Sequence, residues 1–203
     1  MQPIGLLALQ GDFEAHRRIL AGIDVPSRLA RGPKDLDSIS GLILPGGETT
    51  TQIKLAREAG LLEAIERFRD SGRPIFGTCA GAILLARKVS KPAQFSLGLV
   101  DIDIERNAYG RQRESFEAMG TIEPTGPGGA SGLGEGPLGL VFLRAPRITR
   151  WGGDITVLVR HGRDPVLVRQ HNVMAATFHP EIEGEPRVHR YFARIAAGVE
   201  THG

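Results

Sequence analysis

With 203 residues, 41% of them hydrophobic, the chain is long enough for a substantial core and too apolar for disorder or a fibrous repeat. A net charge of only +2, aromatics at 5% and arginines interleaved with acids give neither the basic stripe nor the stacking rings of a nucleic-acid binder. The longest apolar runs, IGLLAL and GAILLA, are too short to span a bilayer, and a single cysteine excludes an internal disulfide.

The opening MQPIGLLALQGD carries no basic leader and no small-residue cleavage site, so a cytoplasmic, reducing setting is expected. IGLLAL (4–9) reads as a buried strand and is followed by a helix around Glu14–Gly22. VPSRLA (25–30) and GLILP (41–45) are further strands. Residues 50–71 have helical periodicity interrupted near Gly60, which predicts two short helices. RPIFGT (73–78) is the next strand, with AGAILLARKV (80–89) as the helix after it. Alternation of this kind implies a parallel sheet covered on both faces.

The pattern then changes. LGLVDIDIERN (97–107) alternates apolar and polar positions like a half-buried strand, and the glycine- and proline-rich residues 123–137 read as a loop. LGLVFLRAP, DITVLVRHG, DPVLVRQHN and VMAATFHPE follow with tight turns between them, which predicts a largely antiparallel region. A helix from Pro186 to Val199 closes the chain. The expectation is one three-layer α/β domain over residues 1–203, flavodoxin-like, whose mostly parallel sheet carries helices on both faces and an antiparallel extension.

The lone cysteine, Cys79, falls between that fourth strand and its helix, in Gly77-Thr78-Cys79-Ala80-Gly81. This G-x-C-x-G matches a nucleophile elbow with sulfur in place of oxygen. The turn crowds the backbone, so its flanks need residues without side chains. The nucleophile then stands at a helix N-terminus, where N–H groups favour thiolate, and the N–H of Ala80 is placed to receive an oxyanion. A free cysteine is more commonly a small buried hydrophobe, so the reading requires a base.

Six histidines are available. His161, His171, His189 and His202 suit solvated structural roles, and His16 is a reserve candidate facing the site. His179 ends an apolar strand and precedes Pro180 and Glu181. Proline favours an extended residue before it, and extended residues two apart project to one side, which brings Glu181 toward the imidazole. A carboxylate there would hold the ring's tautomer and its charge. Gly46-Gly47, after the third strand, lets backbone N–H groups approach a ligand and complete an oxyanion hole; its freedom predicts a hole only partly formed in the isolated chain. Cys79, His179 and Glu181 thus form a candidate triad. On the residues alone, a cysteine hydrolase or a non-catalytic binding module stays open beside an amide-cleaving enzyme.

LALQGDFEAH (7–16), GLILPGGETTT (41–51), PIFGTCAGAILLA (74–86), ERNAYGRQRESFE (105–117), FLRAP (142–146) and FHPE (178–181) cover nearly the whole chain. Together they resemble the class I glutamine amidotransferases, and more narrowly the glutaminase subunits of pyridoxal 5′-phosphate synthases. The resemblance implies Cys79 as nucleophile, His179 as base and acid, and Glu181 as its orienter. It also implies a glutamine site of Gly47, Glu48, Thr49, Arg106, Leu143 and Arg144, with oxyanion N–H groups from Gly47 and Ala80. The family usually carries serine where Thr49 stands. The implied reaction is hydrolysis of L-glutamine, with ammonia passed to a (β/α)₈-barrel synthase partner that makes pyridoxal phosphate from ribose 5-phosphate and glyceraldehyde 3-phosphate. No cofactor or metal is expected in this chain, and neither a nucleic-acid nor a membrane partner.

Overall fold

Strands covered on both faces must be largely apolar, and three stretches in the first half of the chain meet that condition. Ile4–Leu7 (β1), Gly41–Leu44 (β3) and Ile75–Thr78 (β4) are buried at every position. A computed structural model describes residues 2–108, 115–124, 130–182 and 184–199. In it β1 pairs in parallel with both Ser27–Ala30 (β2) and β3, and β3 pairs in parallel with β4. The resulting order β2-β1-β3-β4 is that of a flavodoxin-like sheet, whose ligands bind beyond the carboxyl ends of the strands. The connecting helices are α1 (Phe13–Gly22), α2 (Thr49–Glu58) and α3 (Leu61–Asp70), the last two separated at Gly60 as the periodicity predicts.

Beyond β4 the sheet continues through Val173–Ala176 (β12), which runs parallel to it. Asp164–Gln170 (β11), Thr156–His161 (β10), Ser115–Ile122 (β7) and Leu138–Leu143 (β8) then follow in antiparallel order, which completes nine strands. β12 is therefore the seam between the two halves. Its end lies beside the end of β4, because Ala176 pairs with Thr78. The core divides by face. Ile4 and Leu6 join the cluster containing Leu20 of α1 and Phe192 of α5 (Pro186–Ala196), while Leu7 joins the one under α2 and α3, as a period of two requires.

Two features differ from the sequence expectation. The helix after Cys79, α4, stops at Leu85 rather than running to Val89, and Ala86–Ser90 forms a strand, β5. It pairs in parallel with Val100–Glu105 (β6), which pairs antiparallel with Arg147–Trp151 (β9) to form a separate three-stranded sheet. Pairing with distant residues decides this segment. Arg87 grips Asp103 at 2.6 Å, Lys91 meets Glu105 at 3.1 Å, and buried Val89 faces the core. The strands β7 and β9 also went unanticipated. Residues 109–114, inside the ERNAYGRQRESFE block, and 125–129, inside the predicted loop, lie outside the described residues; Ala130–Leu133 form a short 3₁₀ turn. No helix among the described residues is long and apolar enough to cross a membrane.

Candidate active site

β4 delivers Cys79 at its carboxyl end, where the Cys79 N–H still donates to the Ala176 carbonyl at 2.8 Å. The residue has φ 46° and ψ −100°, outside the regions open to a side-chain-bearing residue. Such strain costs about 1–3 kcal/mol and marks a site the surrounding structure enforces. The flanking glycines explain the enforcement. A Cβ on Gly81 would collide with the Leu44 backbone, and one on Gly77 would collide with the Gly81 backbone. The turn can close only without those atoms. Ala80, fully buried, opens α4 directly after the nucleophile.

His179 leaves the end of β12 with its N–H bonded to the Val141 carbonyl at 2.8 Å. Its Nδ1 lies 2.7 Å from Glu181 Oε1, and both residues are 4% exposed. The pairing has a different cause from the one expected. Residues 179–182 form a turn, with the Ile182 N–H reaching the His179 carbonyl at 3.3 Å, rather than an extended segment. Cys79 and His179 line the same cleft, and the thiol lies 4.0 Å from the Leu143 carbonyl. Burial opposes charging of His179. Hydrogen bonds and charge from Cys79 and Glu181 outweigh it and push the pKa up to about 10.

The cleft measures about 180 Å³, below the roughly 300–1,000 Å³ of drug-sized sites and suited to one amino acid. Gly47, Glu48, Thr49, Arg106, Leu143 and Arg144 all line it, so the structure brings these predicted residues together. Asp12, Ile83 and Asn107 line it as well, and were not foreseen. A larger opening of about 510 Å³ runs along Gly120–Pro124 and Gly134–Pro137, with neither a cysteine nor a histidine among its lining residues.

Glu48 has a second task. As N-cap of α2 it accepts from the N–H groups of Thr50 at 3.0 Å and Thr51 at 2.7 Å. Hydrogen bonds from Thr51 above all, joined by those of Thr50, hold its pKa down to about 2, so it stays charged at the cleft rim. The Gly46-Gly47 turn is fitted closely around its neighbours. The Gly46 carbonyl accepts from the Asp12 N–H at 3.2 Å, the Glu48 N–H donates to Gln10 Oε1 at 3.1 Å, and Gly47 has φ 153°. A Cβ on Gly46 would run into the His179 ring.

Other histidines depart from expectation. His189 is fully buried rather than solvated, because α5 packs its inner face on the sheet. His161 is half-buried beside Phe142, with ring centroids 5.7 Å apart. His16 is buried behind Glu181 and does not line the cleft. His171 is exposed as expected, and His202 lies outside the described residues. Asp12, His179 and Glu181 present ligand atoms within 4.8 Å of one another, the one such grouping among the described residues. Nδ1 of His179 is already committed to Glu181, which leaves a poor donor set for a metal.

Residues 6–197 match the pattern of the SNO glutamine amidotransferase family. The chain is 47% identical over 201 residues to the pyridoxal 5′-phosphate synthase subunit PdxT of Pseudothermotoga lettingae, covering 98% of both chains. It is 48% identical to the protein of the same name from Thermus thermophilus, covering 95% of this chain and 97% of the relative. Among solved structures, one described as a glutamine amidotransferase superposes with a TM-score of 0.86 at 43% identity, over 96% of this chain and 98% of the other. PurLQS from Thermotoga maritima, at 16% identity and a TM-score of 0.71 over 96% and 99%, shares the fold. By sequence along nearly its whole length and by fold, the chain belongs to the SNO glutamine amidotransferase family.

Proposed function

We propose that this protein hydrolyses L-glutamine to L-glutamate and ammonia with Cys79, His179 and Glu181 as its triad. The observation that carries the reading is the lone cysteine, on a strained elbow, sharing a cleft of amino-acid size with an imidazole that Glu181 accepts from at 2.7 Å. Glu48 suits the substrate's α-ammonium, and Arg106 and Arg144 suit its α-carboxylate, a group that guanidinium grips through paired N–H bonds. Gly47, Thr49 and Leu143 shape the walls.

The Cys79 thiolate attacks the side-chain amide carbon, forming a C–S bond and an oxyanion received by the N–H groups of Gly47 and Ala80. His179 gives its proton to the departing nitrogen, the C–N bond breaks, and ammonia leaves a γ-glutamyl thioester. Water then attacks, the neutral imidazole takes its proton, and the C–S bond breaks to release glutamate. No cofactor or metal enters these steps.

The relatives named pyridoxal 5′-phosphate synthase subunits extend the proposal. The ammonia passes to a (β/α)₈-barrel synthase subunit that assembles pyridoxal 5′-phosphate from ribose 5-phosphate and glyceraldehyde 3-phosphate, in the cytoplasm. The test is glutamate release with and without that synthase subunit, with Cys79→Ala as control. Release that rises with the partner and vanishes in the variant is the expected result. Strong release indifferent to the partner would assign the ammonia to another acceptor, and no release in either setting would end the glutaminase reading.

A further inference from the structure

Behind Glu181, away from the cleft, runs a row of polar groups that the proposed reaction does not use. His16 on α1 and His189 on α5 are both 0% exposed. Nδ1 of His16 lies 2.8 Å from Nε2 of His189, so a proton is shared between two neutral rings. On its other side, His16 Nε2 stands 3.2 Å from Thr78 Oγ1 and 3.5 Å from Glu181 Oε2. Glu181 Oε1 is occupied by His179, whereas its buried Oε2 makes no full hydrogen bond among the described residues. A buried carboxylate oxygen needs a donor, and the His16 ring presents a nitrogen to it.

The chemistry of the acceptor sets the direction of the row. An ionised carboxylate only accepts, so His16 must carry its proton on Nε2, shared between Glu181 and Thr78. Nδ1 then has a lone pair, and His189 supplies the Nε2–H that meets it. Reversing the row would turn a nitrogen lone pair toward the charged carboxylate, a larger cost than the lone pair that this direction leaves on His189 Nδ1 near the neutral Glu185 carbonyl. Both rings are kept neutral. Burial first, then the charges of His189 and His179, drives the His16 pKa well below its ordinary value. Burial takes His189 down to about 4, and the nearby Glu185 carbonyl opposes that shift without making a full hydrogen bond. A neutral row does not compete with His179 for the charge of Glu181.

We propose that His16 is a positioning residue whose Nε2–H, oriented by His189, fixes the second oxygen of Glu181 so that the first stays on His179. The inference rests on Cys79, His179 and Glu181 acting as a triad. Hydrogen bonds in a resting site are often long and tighten when charge develops, which suits the 3.5 Å separation. Without His16, Glu181 is free to turn or to take up a proton, and the imidazolium loses support. Thiolate then forms only at higher pH and the imidazolium is lost at lower pH, so the active window narrows from both sides. Asp12, Glu48, Arg106 and Arg144, which also line the cleft with His179, are unchanged and set a common background.

Cys79 is the only cysteine, so iodoacetamide alkylation of the intact chain reports on this thiol with no need of glutamine or a partner. His16→Leu is expected to move the acid limb of the alkylation profile up by about one pH unit, about tenfold slower at a given acidic pH. His16→Gln, whose amide nitrogen reaches the place of Nε2, should restore the limb, and His189→Leu should shift it less in the same direction. An unchanged limb in folded His16→Leu, or His16→Gln behaving like Leu, would overturn the proposal. If His16→Leu does not fold, the ¹⁵N shifts of the unaltered chain decide: a neutral His16 protonated on Nε2 at pH 6 is expected, and a charged ring or the other tautomer sinks it. A shifted limb in a protein that releases no glutamate would keep the positioning role while ending the glutaminase reading.

Discussion

On one side of His179 lies the cleft, where Glu48, Arg106, Asn107 and Arg144 meet solvent and substrate; on the other lie Glu181, Thr78, His16 and His189, none more than 4% exposed. The cleft side carries full charges at its rim, where water and salt weaken each interaction and a lost contact is partly replaced by solvent. The buried side has a single carboxylate surrounded by neutral donors, and water has no access to repair a missing bond. The contrast teaches a division of labour. Residues of the cleft should govern how tightly glutamine binds, and residues behind His179 should govern the pH range in which the thiolate–imidazolium pair survives.

Four changes would break or sharpen that division. Cys79→Ala should lower glutamate release by at least about 10⁴-fold whatever the pH, measured in the assembled synthase, since it removes the bond-forming atom. Glu181→Gln should lower kcat/KM by roughly 10³–10⁴-fold and narrow the pH profile, because an amide neither fixes the tautomer nor supports the imidazolium. A profile of unchanged width would contradict the role given to the buried side.

His189 makes a prediction about stability. Its folded-state pKa is about 4 against an ordinary value of 6.5. The unfolded chain therefore takes up the proton first. The stabilisation is complete above about pH 6.5 and is lost progressively as the pH falls toward about 4, amounting to ~3 kcal/mol for this ring. His16 acts in the same direction. Denaturant midpoints from pH 7 to pH 4 should fall less steeply in His189→Phe than in the parent; equal slopes would mean that the ring is not held neutral. The smallest effect belongs to the cleft. Arg106→Ala should raise KM about 10–100-fold with kcat and the pH limbs nearly unmoved, read from steady-state kinetics. A displaced pH limb there would erase the distinction between the two sides.

Much of this was legible without coordinates, and for local reasons. The apolar runs of β1, β3 and β4, the break at Gly60 and the glycines around Cys79 each express a constraint that a few neighbouring residues impose. The proximity of His179 and Glu181 was also foreseen, although a turn rather than an extended segment brings it about. β5 was not, because Ala86–Ser90 continues a helical pattern and becomes a strand only when Asp103 and Glu105 offer it partners.

His189 was assigned to solvent on its place in a terminal helix. Nothing in residues 186–196 says that its ring meets His16, 173 positions earlier. The amino-acid order by itself determined the parallel half of the sheet and the elbow, since those follow from steric and hydrophobic rules acting over a few residues. Only the tertiary structure decided what lies behind Glu181. That row joins α1, β4, the turn after β12 and α5, and its hydrogen bonds exist only once the sheet has brought those four elements together.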